Sequence, residues 1–401
     1  MSPAPGQASS LSSHALTPAL LVVLGLGLGL ALCEVTLRLF IPQVTRQPSV
    51  WGYDAQLGWS HIPGASGRMM SPEFDVDVSI NADGLRDREY DPVKGPDVRR
   101  VLVFGDSFAE GWGVPIDRSV SEKLEMELAW QVGAGAYEVL NFGVAGFGTD
   151  QELLLFRQHG VRYSADDVVV LFYANDLWNN QSRQGIGTER GHKPYFRISG
   201  AGKLVLRGVP VKKNRYWDWQ EGVWNPPGSQ RLGRYLYTHW HIIALMAKAL
   251  SPSPLPTAQQ ARYYEGLYGR DETAAGAGWR LVEAILAEFQ QAAVAAGARM
   301  HLVYIPAIVQ VEEDDWRLKQ QLHGLAGEDF DLTRPNRLLR AIAARNKIPF
   351  LDLTQRFVAE GRSRTLYYRD SHWNEAGHAL AAKVISEHLR RHVKAGNLLT
   401  P

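Results

Sequence analysis

Four short patches of this chain carry side chains that could carry out acyl transfer. The first is VLVFGDSFAEGWGV, residues 101–114, where an apolar run stops at Gly105-Asp106-Ser107. A serine hydroxyl at the end of a buried strand is a candidate nucleophile if a base and oxyanion donors can reach it. The second is Asn141-Phe-Gly-Val-Ala-Gly146-Phe-Gly148-Thr149, a glycine-rich turn leading into a helix. Glycines let backbone approach a ligand, so the Gly146 N–H joins the Ser107 N–H as a candidate donor. The third is Tyr173-Ala174-Asn175-Asp176, whose Asn175 amide is a third donor. The fourth is Asp370-Ser371-His372-Trp373-Asn374. There His372 would act as general base and then general acid, with Asp370 holding the imidazole in one tautomer. Taken singly, each patch also reads as an ordinary turn.

The elements that must position these patches alternate in type. Apolar runs at 100–104, 137–141, 168–173, 300–305 and 349–353 predict strands. Helical periodicity at 119–132, 149–159, 279–296, 335–346 and 374–393 predicts the intervening helices. Short apolar strands separated by helices imply a parallel sheet covered on both faces. In such sheets ligands bind beyond the carboxyl ends of the strands, and all four patches fall at that edge. The rhythm breaks twice. Residues 177–275 form a Trp- and Tyr-rich insertion, read either as a cap over the pocket or as a peripheral subdomain with its own core. Residues 309–332 form a smaller charged excursion. His378 is expected on the exposed face of the last helix.

Lys and Arg total 43 against 42 Asp and Glu, which excludes a global electrostatic case for nucleic-acid binding. The single cysteine, Cys33, rules out an internal disulfide. Leu32 before it is larger than the small residue of a lipid-modified cysteine signal. Residues 1–33 contain no Asp, Glu, Lys or Arg, and LTPALLVVLGLGLGLAL (16–32) approaches the span of about 20 residues that crosses a bilayer. No basic stretch precedes it and no small-x-small cleavage site follows, so an uncleaved anchor is expected rather than a signal peptide. Arg38 and Arg46 follow the segment and no Lys or Arg precedes it. This charge pattern alone would keep the remainder in the cytoplasm, although long domains cross largely regardless of charge. The expected organisation is a disordered tail (1–14), a transmembrane anchor (15–40), a lead-in packed on the main domain (41–96) and a catalytic domain (97–395) carrying the 177–275 insertion.

The four patches together resemble the SGNH hydrolases, the GDSL-type lipases, esterases and acyltransferases. That family's four signature residues map onto Ser107, Gly146, Asn175 and His372. The resemblance implies a flavodoxin-like α/β/α sandwich with a five-stranded parallel sheet. It also implies a serine esterase using a Ser107–His372–Asp370 triad, with no cofactor or metal. Two positions depart from the pattern. Tyr173 stands where the third block usually has glycine, and Asp370-Ser371-His372 is one residue shorter than the usual Asp-x-x-His. The shortened block and its His-Trp pair are similar to alginate O-acetyltransferase-like proteins, which act on polysaccharides outside the cytoplasmic membrane. Glu34-x-x-x-Arg38-Leu39 after the apolar segment matches membrane-anchored bacterial relatives. The resemblance therefore implies an exported domain, with an ester of a carbohydrate, lipid or small molecule as substrate. O-acyl transfer to a cell-envelope polysaccharide and a non-catalytic binding module are the other readings. A metal cluster of Asp370, His372, His378 and Asp176 has no ligand spacing to support it, and the glycines at 143–148 lack a phosphate-loop signature.

Overall fold

The computed structural model describes residues 13–43, 48–133, 135–185, 191–213, 228–250, 257–271, 273, 276–361 and 365–397. The chain divides into two compact units: residues 47–225 with 253–401, and residues 1–46 with 226–252.

The larger unit is built on one parallel sheet. Its central strands are built on short apolar runs of Val, Leu and Phe. Arg99–Gly105 and Asp167–Phe172 are buried nearly throughout, as expected for strands covered on both faces. Two antiparallel hairpins precede the sheet, formed by β1 (Trp51–Asp54) with β2 (Gly58–His61) and β3 (Ser66–Met70) with β4 (Asp75–Ser79). Then come β5 (Arg99–Gly105), β6 (Tyr137–Gly143), β7 (Asp167–Phe172), the hairpin β8 (Tyr195–Ile198) with β9 (Leu204–Arg207), β10 (Arg299–Tyr304) and β11 (Phe350–Asp352). The parallel sheet has the order β11-β10-β7-β5-β6. Counted along the chain this is 2-1-3-4-5, the flavodoxin-like order, whose switch point lies between β5 and β7.

Side-chain alternation divides the core into two layers. Leu102 and Phe104 of β5 pack on one face with Phe142, Phe156, Phe289 and Ile342. Val101 and Val103 pack on the other with Leu124, Leu128, Trp373 and Ile385. This is the expected α/β/α sandwich. The lead-in belongs to the first layer, where Trp51, Trp59, Met69 and Val78 are buried. The main-unit part of the insertion also joins this layer, through Phe196, Leu267 and Tyr268, rather than forming a core of its own. Trp217, Trp219 and Trp224 lie outside the described residues.

Close backbone approach shapes the sheet's carboxyl edge. A Cβ on Gly143 would lie 2.1 Å from the Glu110 nitrogen, so β6 meets the chain after β5 only through glycine. Gly105 is constrained similarly, since a Cβ there would sit 2.8 Å from the Ala109 Cβ.

The smaller unit contains helix α1 (Ser13–Phe40) and the short helices Gly228–His239 and His241–Leu250. Within α1, Leu20–Phe40 spans 21 residues with mean hydropathy 2.3, long and apolar enough to cross a membrane. The Glu34 carboxylate accepts from the backbone N–H groups of His241 and Ile242 at 3.0 Å each. Arg38 donates to Glu34 at 2.8 Å and to the His239 carbonyl at 2.6 Å. An acid thus satisfies the open donors at the start of one short helix, while a base satisfies an open acceptor at the end of the other.

Candidate active site

Ser107 opens a one-turn helix, α2 (Ser107–Glu110), immediately after β5. Three devices hold this turn. The Asp106 side chain caps it by accepting from Phe108 N at 2.9 Å. Gly111, in the left-handed region at φ 88°, ends it. The buried Arg86 guanidinium collects the carbonyls it leaves open, at Glu110 (3.1 Å), Gly111 and Val114 (2.7 Å). The Ser107 hydroxyl is thereby fixed beside the switch point.

His372 reaches it from the far end of the chain. Ser107 Oγ lies 2.8 Å from His372 Nε2, across 265 residues of sequence. The shortened fourth block makes a tight turn in which Ser371 takes φ 72° and Tyr368 N donates to the His372 carbonyl at 2.8 Å. Asp370 Oδ1 accepts the His372 backbone N–H at 3.1 Å, and Asp370 Oδ2 lies 3.2 Å from His372 Nδ1. The Nδ1 contact is close but not aligned as a directed hydrogen bond. Such bonds are often loose before substrate is present. Burial pushes the Asp370 carboxyl up, but the close His372 imidazole, its charge and the His372 backbone N–H, together with Trp112, more than offset this, so the carboxyl lies below its ordinary value.

Trp112 is a contributor that motif reading did not single out. Its Nε1 donates to Asp370 Oδ2 at 3.2 Å, and its rings stack on His372 at 5.3 Å and 24°. Phe108 makes a second aromatic contact with His372, also at 5.3 Å.

Gly146 and Asn175 end up on loops that are tied together. Gly146 takes φ 81° in the turn after β6. Asn175 follows β7 and donates through Nδ2 to Asp106 Oδ2 at 2.7 Å. The Asp176 carboxylate bridges the two loops, accepting from Thr149 N and Oγ1 at 2.7 Å each and from Tyr173 N at 2.8 Å. Burial, reinforced by the nearby Asp106 charge, pushes its carboxyl up to about 8. Asn179 donates to the Phe147 carbonyl at 3.1 Å and to that of Gly146 at 3.4 Å.

Glu110 secures the same glycine turn from below. Its buried carboxylate accepts from Ala145 N and from Trp51 Nε1 (3.4 Å), and lies 3.4 Å from His61 Nε2. Burial pushes the Glu110 carboxyl up, but the charge and hydrogen bond of His61, the Arg86 charge and the Ala145 N–H bring it below its ordinary value. Glu110 and Arg86 gave no sequence signal, and Asp176 entered only as the end of the third patch and in the rejected metal set, because a single acid or base has no period or spacing that reveals which loops it bridges.

One expectation fails. His378 is buried, not on an exposed helix face. The first turn of helix Glu375–Asn397 lies against the segment before it, with His378 edge-on to Trp373 at 5.5 Å. Burial, then the Arg86 and His372 charges, lowers its imidazole to about 3.

With this geometry established, residues 103–380 match the GDSL-like lipase/acylhydrolase family. The chain belongs to that family. Its members are acylhydrolases, which makes this an ester-acting hydrolase at family level. Similar solved structures include TesA, at 14% identity and TM-score 0.37, covering 73% of this chain and 99% of that one. An acetyl xylan esterase, AlAXEase, matches at 13% identity and TM-score 0.37, covering 73% and 99%. A lipase/acylhydrolase from Enterococcus faecalis matches at 12% identity and TM-score 0.38, covering 74% and 97%. Among curated proteins none matches this sequence. Where family members usually carry glycine, Tyr173 packs on Phe108 with ring centroids 4.5 Å apart.

Two outcomes follow. Trp112→Phe keeps a stacking ring but removes the donor to Asp370. Ester hydrolysis should fall up to about tenfold, the value of one hydrogen bond, with Tm little changed. Glu110→Gln should destabilise the protein by about 2 kcal/mol at pH 7, the worth of a charged hydrogen bond. Because the folded carboxyl titrates below the unfolded value of about 4.3, its contribution is present above that pH and is lost as pH falls through the folded value. Denaturant titrations of wild type and variant should therefore converge in acid.

Proposed function

We propose that the protein is a serine esterase in which Ser107, His372 and Asp370 form the triad. The observation that carries this reading is the 2.8 Å contact between Ser107 Oγ and His372 Nε2 at the carboxyl edge of the sheet. With the Nδ1 proton facing Asp370, Nε2 is the lone-pair nitrogen and the serine hydroxyl donates to it. Ser107 Oγ attacks the ester carbonyl carbon while its proton passes to His372. The oxyanion accepts hydrogen bonds from the backbone N–H groups of Ser107 and Gly146 and from the Asn175 amide. One Asn175 amide hydrogen is engaged by Asp106 and the other serves the oxyanion. Losing one such donor costs about 10²–10³ in rate. Collapse expels the alcohol, which takes the His372 proton. Water then attacks the acyl-serine, again giving its proton to His372, and the carboxylic acid departs as Ser107 recovers its hydrogen.

The substrate class is an ester of a carbohydrate, lipid or small alcohol. A sugar hydroxyl replacing water in the second half would make the same machinery an O-acyltransferase. A fluorophosphonate probe should label the wild type and not Ser107→Ala. Labelling of neither would favour the binding-module reading and sink this one. With an acetyl ester as donor, acid release independent of added oligosaccharide supports hydrolysis. Turnover that requires the oligosaccharide and acetylates it supports transfer instead.

We further read α1 as an uncleaved membrane anchor with the larger unit outside the cytoplasm. The short helices grouped with α1 expose Leu232, Tyr235, Trp240, Leu245, Met246 and Leu250, a mixture of aliphatic and aromatic side chains suited to a bilayer surface. In a bacterial host the full chain should resist carbonate extraction, and protease added to spheroplasts should digest the larger unit. Complete protection would place that unit in the cytoplasm.

A further inference from the structure

A second group of histidines lies at the opposite edge of the sheet from Ser107. His301 is in β10, two register steps from the amino end of its pairing with β7. His388 and His392 sit one turn apart on helix Glu375–Asn397, a spacing that puts both rings on one helix face. The three rings converge, with centroids 5.2 Å apart for His301 and His388, 5.3 Å for His301 and His392, and 4.3 Å for His388 and His392. One nitrogen from each lies within 4.8 Å of the others. His301 and His388 are buried and His392 is half-buried, so the cluster opens to solvent on one side.

The hydrogen bonds around the cluster fix which nitrogens face inward. His301 Nε2 lies 3.1 Å from Asp167 Oδ1, and a carboxylate only accepts, so the ring proton is on Nε2 and the Nδ1 lone pair is left for the cluster. His392 Nδ1 lies 2.9 Å from the His388 carbonyl oxygen, which likewise only accepts, so its Nε2 carries the lone pair. His301 Nδ1 is 3.1 Å from His388 Nε2. Two imidazole nitrogens bound tetrahedrally to one zinc ion at about 2.05 Å would be about 3.3 Å apart. Asp167 behind His301, itself held by Arg99 Nε at 2.8 Å, supplies the carboxylate–histidine pairing that orients metal-binding imidazoles. Arg299 donates to the His392 carbonyl at 2.8 Å.

We propose that His301, His388 and His392 bind one divalent d-block cation, zinc foremost. Three neutral nitrogen donors suit zinc and its neighbours and not magnesium or calcium, which take oxygen ligands. Water from the open side completes a tetrahedral set. The ion joins the last helix to β10 and takes no part in chemistry at Ser107. Because it binds the folded chain, it adds stability as its concentration rises.

The test uses the full chain in detergent, stripped with chelator and then titrated with zinc by calorimetry and thermal melting. A His372→Ala background removes the Asp370–His372 pair as a competing ligand. The expected result is one zinc per chain, with a Tm rise that is lost in His388→Gln and His392→Gln as affinity falls about 100-fold or more. Cobalt in the unmutated cluster should give the intense visible bands of a tetrahedral site, a readout that does not depend on the variants folding. Absence of stoichiometric zinc, affinities in both glutamine variants within about tenfold of the parent, or weak octahedral cobalt bands would each overturn the proposal. Fluorophosphonate labelling of Ser107 in a chain with intact His372 is read separately, so failure of this site and failure of the esterase reading remain distinct.

Discussion

A single hydrogen bond between side chains 265 residues apart, Ser107 to His372, sets the demands on the rest of the molecule. In the esterase proposed above, a mismatch of 1 Å there would cost about a hundredfold in rate. Neither partner is held by its own segment alone. Ser107 depends on a four-residue helix too short to be stable by itself, so its caps and its open carbonyls are met from outside, by Asp106 and by the buried Arg86. His372 depends on a turn whose carbonyl is tied back to Tyr368 N. The parallel sheet provides the common frame, because all its strands present their carboxyl ends to one edge.

The acidic side chains beneath that edge act as struts. Asp176 joins the Asn175 loop to the start of the helix Thr149–Gln158, and Glu110 holds the glycine turn through Ala145 N. Glu152, also buried, has no hydrogen-bond partner for either carboxylate oxygen. Burial and then the charges of Asp176, Asp106 and Asp150 push its carboxyl well above the ordinary range, so it is held neutral. Acids this close cannot all ionise, which explains why Asp176 titrates near neutrality while Glu110, facing His61 and Arg86, stays charged.

Much of the frame was legible in the sequence because it repeats. The apolar runs predicted at 100–104, 137–141 and 168–173 fall within a residue or two of β5, β6 and β7 at most ends, and the four motif patches lie on the loops that follow β5, β6 and β7 and precede the last helix. What escaped notice lacks periodicity. Trp112 lies within the very stretch that pointed to Ser107, but its contact with Asp370 depends on a turn 258 residues away. His378 looked like a surface residue because helix periodicity does not reveal that the first turn is covered by its own preceding segment. The Glu34-x-x-x-Arg38 match carried only resemblance until the short helices it caps came into view.

The aromatic contacts on His372 have one further effect. An imidazole flanked by Trp112 and Phe108 and anchored at its backbone is restrained from swinging between partners during the reaction proposed for it. In the proposed mechanism every molecule that gives up or receives a proton would meet the same stationary nitrogen. The choice between water and a sugar hydroxyl in that mechanism would then rest with what reaches Ser107, and redesigning the acceptor would mean reshaping the surroundings of Ser107 while leaving His372 alone.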